Sequence, residues 1–122
     1  MPTFVEMDAK ITFSAQLEQE SGPVILVNSF TVEPEDAEQF LTHWAADAAI
    51  MKRQPGFISA QMHKGIGDSR VFLNYAVWQS VADFKGAFNN PEFQATIRAY
   101  PAGVVASPHL FQKIAVPGIC VA

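Results

Sequence analysis

Two runs of β-branched and aromatic residues, Val24 to Val32 (VILVNSFTV) and Arg70 to Trp78 (RVFLNYAVW), constrain this chain more than anything else in it. Their make-up predicts strands. Successive side chains of a strand point to opposite faces, so each run divides in two. In the first, Val24, Leu26, Asn28, Phe30 and Val32 oppose Ile25, Val27, Ser29 and Thr31. In the second, Phe72, Asn74, Ala76 and Trp78 oppose Val71, Leu73, Tyr75 and Val77. A sheet with one wet face alternates cleanly between apolar and polar residues. Neither run does, so both faces of the sheet need cover.

Charge is correspondingly scarce. Only 16% of the residues are charged, against about 25% in ordinary soluble domains. At 122 residues the chain can build one core but not two. A single domain this short of polar cover spans a membrane, encloses a cavity, or hides surface against another subunit. No stretch approaches the roughly 20 apolar residues of a membrane helix, and MPTFVEMDAK lacks the basic and apolar regions of a signal peptide. Lys and Arg number 8 against 12 acids, a net charge of −4, so no basic footprint for nucleic acid is expected. The one cysteine, Cys120, cannot close an intramolecular disulfide and suits a cytoplasmic protein. What remains is a cytoplasmic domain that encloses a small ligand, pairs with itself, or both.

The rest of the chain fills in around the two strands. Glu33-Pro34-Glu35-Asp36 predicts a helix start, with proline in the first turn and acids at the positive end of the helix dipole. The helix shows an apolar face at Ala37, Phe40, Leu41, Trp44, Ala48 and Met51 and stops near Gln54-Pro55-Gly56. Phe57 to Lys64 reads as a strand, paired as a hairpin with Arg70 to Trp78 across Gly65 to Ser69. Ser80 offers an N-cap to a helix carrying Val81, Phe84 and Phe88. Asn89-Asn90-Pro91 then starts another with Phe93, Ile97 and Tyr100. Pro101 to Pro108 reads as a loop and Leu110 to Val116 as the last strand. The order β-α-β-β-α-α-β predicts an α+β, ferredoxin-like split βαβ fold with a four-stranded antiparallel sheet and helices on one face. A second copy is the economical cover for the other face, giving a homodimer with a barrel-like interior. Residues 23–116 would form this domain, 117–122 a tail, and 1–22 an N-terminal arm, either loose or adding an edge strand over Lys10 to Leu17.

Walker, Rossmann, CxxC, HExxH and GxSxG patterns are absent from the sequence. His43, His63 and His109 lack metal-ligand spacing, so neither metal nor cofactor is expected. Asn74 and Trp78 share one strand face. Strand interiors disfavour asparagine, and a buried amide has to find partners. Either Asn74 bonds the backbone at an irregularity beside a plain core tryptophan, or both face a ligand. Asn28 repeats the question in the first strand. Arg98 is an ordinary solvated helix charge or, at a cavity edge, a stabiliser of a developing anion.

The run Asn74-Tyr75-Ala76-Val77-Trp78-Gln79-Ser80, at its distance beyond Pro55-Gly56-Phe57-Ile58-Ser59-Ala60, resembles the antibiotic biosynthesis monooxygenase family of the dimeric α+β barrel superfamily. The similarity covers residues 23–116 and is greatest to the cofactor-free monooxygenases of aromatic polyketide biosynthesis. It implies a homodimer that oxidises a small electron-rich aromatic or quinol with O2. It also assigns catalytic roles to Asn74, Trp78 and Arg98. The active-site tyrosine of those enzymes, six residues past the tryptophan, falls on Phe84, which leaves Tyr75 and Tyr100 as the phenols able to replace it. The haem-degrading branch shares Asn28, but its ligating histidine falls on Ile97 and its ring-distorting tryptophan on Ala87.

The chemistry implied by the resemblance needs a ligand that becomes electron-rich once deprotonated, because ground-state O2 reacts slowly with closed-shell molecules. Phe72, Trp78, Phe84 and Phe88 would line an apolar cavity for a flat ring, with Asn28 beside it. Asn74 and Arg98 would stabilise the anion as charge develops, and exclusion of water would protect it. The alternatives are a non-catalytic ligand-binding barrel, or an isomerase or lyase acting on a small keto compound. The latter needs a proton carrier, for which His43, His63 or a carboxylate qualifies.

Overall fold

A computed structural model describes residues 2–122. Strand β1 (Thr3–Phe4) and a single helical turn, α1 (Phe13–Gln16), precede β2 (Val24–Thr31). A short 3-10 turn at Pro34–Asp36 leads into α2 (Ala37–Lys52), followed by the hairpin of β3 (Phe57–Lys64) and β4 (Val71–Trp78). Helices α3 (Val81–Phe88) and α4 (Pro91–Ile97) and the last strand, β5 (Val105–Phe111), complete the chain. The sheet has five strands in the order β1-β5-β2-β4-β3, with β1 parallel to β5 and the other pairs antiparallel. The expected four-stranded antiparallel sheet is thus extended by a parallel edge strand. Two residues are too few to show any alternation, so the sequence pattern could not mark β1.

Helix starts form where local chemistry places them. The Ser80 hydroxyl accepts from the Asp83 N–H at 3.0 Å to begin α3, and the Asn90 side chain accepts from the Glu92 N–H at 2.9 Å ahead of Pro91. Gly56, between α2 and β3, has φ +85°, a region glycine enters without strain. A Cβ there would also collide with the side chain of Asp83, 2.3 Å away. The Pro55-Gly56-Phe57 turn therefore seats α3 against the start of β3.

Two corrections concern the ends. Lys10 to Leu17 is not a strand: the Thr12 hydroxyl caps the Ala15 N–H at 3.2 Å and Glu6 Oε1 accepts from the Phe13 N–H at 2.7 Å, so α1 forms. The last strand begins at Val105 rather than Leu110 and contains Pro108. Even-numbered residues of β5 turn their backbone groups to the outer edge. The Val104 and Ala106 carbonyls accept from the N–H groups of Thr3 and Val5, and the Leu110 N–H donates to Gln16 Oε1. The N–H that Pro108 lacks would point that way too, so the ladder to β2 loses nothing.

Cross-strand register explains where the core divides. Phe30 lies between Phe72 and Ala106, and Leu26 between Ala76 and Leu110. These rows belong to two separate hydrophobic clusters, one around Phe40, Phe72 and Tyr100, the other around Trp78, Phe84 and Phe13. Between them runs the row Pro108, Asn28, Asn74, Met62. Two amides in the floor of the sheet keep the clusters apart.

The opposite sheet face carries Ile25, Val27, Ser29 and Thr31 from β2, Val71, Leu73, Tyr75 and Val77 from β4, and Val105, Ser107, His109 and Phe111 from β5. None of these is charged, and all are half-buried or exposed. No helix among the described residues is long and apolar enough to cross a membrane.

Candidate active site

The gap between the two clusters is a cavity of about 90 Å³. Its floor is the sheet, with Leu26, Asn28, Asn74, Ala76 and Trp78; its roof includes Trp44, Asp47 and Met51 of α2 and Phe84 and Phe88 of α3. The N-terminal arm adds Pro2, Phe4 and Phe13. The lining is mostly apolar, with a few polar groups, as ligand sites commonly are. The volume is well below the roughly 300 Å³ at which sites for drug-sized ligands begin. A fused-ring ligand therefore enters only as a wall gives way.

Asn28 and Asn74 face each other directly across the β2–β4 ladder. Both Oδ1 atoms are buried, and neither has a hydrogen-bond partner among the described residues. An unmet buried polar group costs about 1–3 kcal/mol, so two unmet acceptors opening on a cavity suit a ligand that brings a hydrogen-bond donor, such as a hydroxyl. No irregularity of β4 satisfies Asn74, which pairs in regular register with both neighbouring strands. Trp78, 1% exposed, stands edge-on to Phe57 and Phe84 at 5.4 and 5.5 Å. Those contacts lock its indole ring against the floor.

Five of the seven residues singled out from the sequence therefore converge: Asn28, Asn74, Trp78, Phe84 and Phe88. Two do not. Phe72 is buried in the other cluster, 5.2 Å from the Phe40 ring, and does not line the cavity. Arg98 is exposed at the C-terminal end of α4, also away from the lining. Of the two phenols, Tyr75 lies exposed on the far sheet face and Tyr100 lines the cavity. The histidines lie apart on α2, β3 and β5.

Sequence reasoning missed Asp47. It is 5% exposed in the roof of the cavity. Tyr100 donates its hydroxyl to Oδ2, and the Thr96 hydroxyl reaches Oδ1. Burial raises the carboxyl above the usual aspartate range; the hydrogen bonds from Thr96 and Tyr100 and the nearby His43 pull the other way without cancelling it. Burial, and then the neighbouring carboxylate, raises the Tyr100 phenol well above its ordinary range. A signal was available: Phe40, Trp44, Asp47 and Met51 form one 3/4-spaced line on α2. The expected face instead ran through Leu41, which is 39% exposed.

Residues 23–99 match the family model described as antibiotic biosynthesis monooxygenase. Over 70 residues the chain is 36% identical to tetracenomycin-F1 monooxygenase of Streptomyces glaucescens, covering 57% of this chain and 62% of that protein. Over 74 residues it is 34% identical to deoxynogalonate monooxygenase of Streptomyces nogalater, covering 61% and 62%. The chain thus spans 62% of the length of each of these relatives. Among solved structures, SnoaB, a cofactor-independent oxygenase from Streptomyces nogalater, superposes with a TM-score of 0.67 at 29% identity, covering 80% of this chain and 99% of that one. A protein of Shewanella loihica superposes with a TM-score of 0.64 at 33% identity and the same coverage. Asn28, Asp47, Asn74 and Trp78 fall inside the matched stretch; the arm that carries Phe13 does not.

Proposed function

The chain belongs to the antibiotic biosynthesis monooxygenase family, and from that premise we propose that it is a cofactor-independent monooxygenase of a small electron-rich aromatic or quinol. The observation that carries this is the facing pair Asn28 and Asn74, whose buried Oδ1 atoms have no partner among the described residues and which both line a mostly apolar cavity. A phenol or benzylic ketone held there loses a proton, and its anion reduces O2 within a site that excludes water. The balance is one ring carbon oxidised to a carbonyl, with one oxygen atom entering the product and the other leaving as water. The Oδ1 atoms of Asn28 and Asn74 accept from the ligand hydroxyl before it ionises, and their Nδ2 N–H groups donate to the ligand oxygen as it gains charge. Trp78, Phe84 and Phe88 hold the ring plane.

Oxygen uptake with hydroquinones, naphthols and anthrone-type ketones tests the proposal. Asn74→Ala should lower the rate by about 100-fold, the scale of losing one donor to a developing oxyanion, and Trp78→Ala should lower it by loosening the hold on the ring. Uptake by either variant at the wild-type rate would remove its residue from the site.

The enzyme acts as a homodimer in this proposal. The sheet face of Val27, Leu73 and Val77 is uncharged and only half-buried among the described residues, and the His109 Nδ1 atom is buried without a partner among them. A self-complementary two-fold contact would cover that face.

Buried Asp47 also supplies the proton carrier that an isomerase or lyase of a small keto compound requires. Such an activity would continue under nitrogen, whereas oxygenase turnover stops. Tight ligand retention with neither activity would identify a binding barrel.

A further inference from the structure

Resting on the oxygenase reading above, we propose that the Asp47 carboxylate is the base that ionises the ligand, with Tyr100 and Thr96 as the residues that position it. Buried carboxylates usually have a cationic partner. Apart from the nearby His43, no cationic group bears on Asp47, and it makes no ion pair among the described residues: those present are Arg53–Glu92, Arg70–Glu33 and Lys85–Glu18, all at the surface. Instead, hydroxyls of Thr96 and Tyr100 reach its two oxygens. That arrangement fixes the orientation of the carboxylate and leaves lone pairs free.

Placement makes the group useful. Asp47 enters the cavity from the helix layer, while Asn28 and Asn74 enter from the sheet. A ring lying between them has a base on one side and amides for the resulting anion on the other. Phe84 brings no hydroxyl to the cavity and packs among the aromatic rings of Phe13, Trp78 and Phe88. Tyr100 brings a phenol to the same cavity from the segment after α4. His43 lies one turn before Asp47, half-buried, with its ring 5.8 Å from that of Tyr100. The titratable groups bearing on Asp47 are therefore Tyr100 and His43. Helix α4 presents the neutral Thr96, the sheet presents neutral amides, and Arg98 lies exposed outside the cavity.

The steps balance for a ring CH2. The carboxylate takes one proton, and the electron pair stays on the ligand as an enolate. One electron passes to O2, and the two radicals combine to form a C–O bond and a peroxide anion. The remaining C–H bond and the O–O bond break, giving a carbonyl and hydroxide. The proton held by Asp47 joins the hydroxide as water, and the carboxylate is restored.

Proton abstraction precedes oxygen, so it can be read without oxygen. In D2O under nitrogen, the wild-type protein should accelerate exchange of the acidic C–H of anthrone or of the smaller 2-tetralone, followed by NMR. Asp47→Asn should lose at least about 100-fold of that acceleration, the usual weight of a positioned base. Its fold is checked by circular dichroism, and its cavity by quenching of Trp44 and Trp78 with a quinone. Tyr100→Phe keeps the base and should exchange within about tenfold of wild type. The acid limb of its pH profile should move upward, because it lacks a hydrogen bond that favours the carboxylate. No exchange by the wild type on either ketone, undiminished exchange by Asp47→Asn, or an unmoved limb in Tyr100→Phe each overturns the proposal. Exchange without any oxygen uptake would retain Asp47 as the base and discard the oxygenase reading. Oxygen uptake undiminished in Asp47→Asn would do the reverse.

Discussion

Side chains that break the apolar pattern mark the site. Asn74 stood out because an amide in a strand interior has to find partners, and Trp78 because it shares that face. Asp47 breaks the same rule on α2, yet a charge within an amphipathic helix ordinarily signals the wet side. The apolar line of Phe40, Trp44 and Met51 was legible, but the packed structure is what shows Asp47 turned inward with it. Arg98 shows the limit in the other direction. A charge near a helix end carries no mark of which way it points. Asp47 also carries a prediction about stability. Because burial raises its carboxyl in the fold, ionisation is opposed there relative to the unfolded chain. The resulting stability is full below the ordinary aspartate pKa and is lost as pH rises through the raised value. Asp47→Asn escapes that loss. It should equal wild type near pH 3 and match or exceed it at pH 7, by up to about 2 kcal/mol, as thermal unfolding at both pH values would show. A lower melting temperature at pH 7 alone would mean the carboxylate is there to stabilise the fold.

Among the elements, long ones were legible and short ones were not. Strands β2, β3 and β4 and helices α2 to α4 follow from β-branched runs, proline starts and caps that the structure reproduces. The arm did not follow, because β1 has two residues and α1 four, too few for either period to show. The start of β5 was hidden by Pro108, whose lost N–H faces the outer edge. The arm matters because it walls the cavity. It is held by the β1–β5 pairing, by the two-way bonds of Gln16 to the Leu110 backbone at 2.8 and 2.9 Å, and by Phe13 edge-on to Phe84 and Phe88. Phe13→Ala should widen the cavity and destabilise the fold by about 3 kcal/mol, in line with large-to-small core changes. Denaturant melts would measure the loss, and affinity for two- and three-ring quinones, expected to rise most for the largest, would measure the widening. Unchanged size preference would deny the arm any part in selecting the ligand.

At the scale of the whole molecule, a sheet that is apolar on both faces explains the low charge seen in the sequence. Helices cover one face, and the proposed twin covers the other. The amphipathic split was legible from alternation alone, whereas the register that brings Asn28 against Asn74 was not, because a one-residue slip moves every side chain to the other face. Leu73→Lys puts a charge in the middle of the open face and should convert a dimer to a monomer in sedimentation or light scattering; a wild-type monomer would refute the twin. The most direct measurement is turnover by metal-free protein under isotopically labelled dioxygen, with mass spectrometry of the product. One labelled oxygen in the new ring carbonyl for wild type, with most of that turnover lost in Asn74→Ala, is the predicted result. Product free of label, or label entering as fast with Asn74→Ala as with wild type, would contradict an oxygenase built around the paired amides.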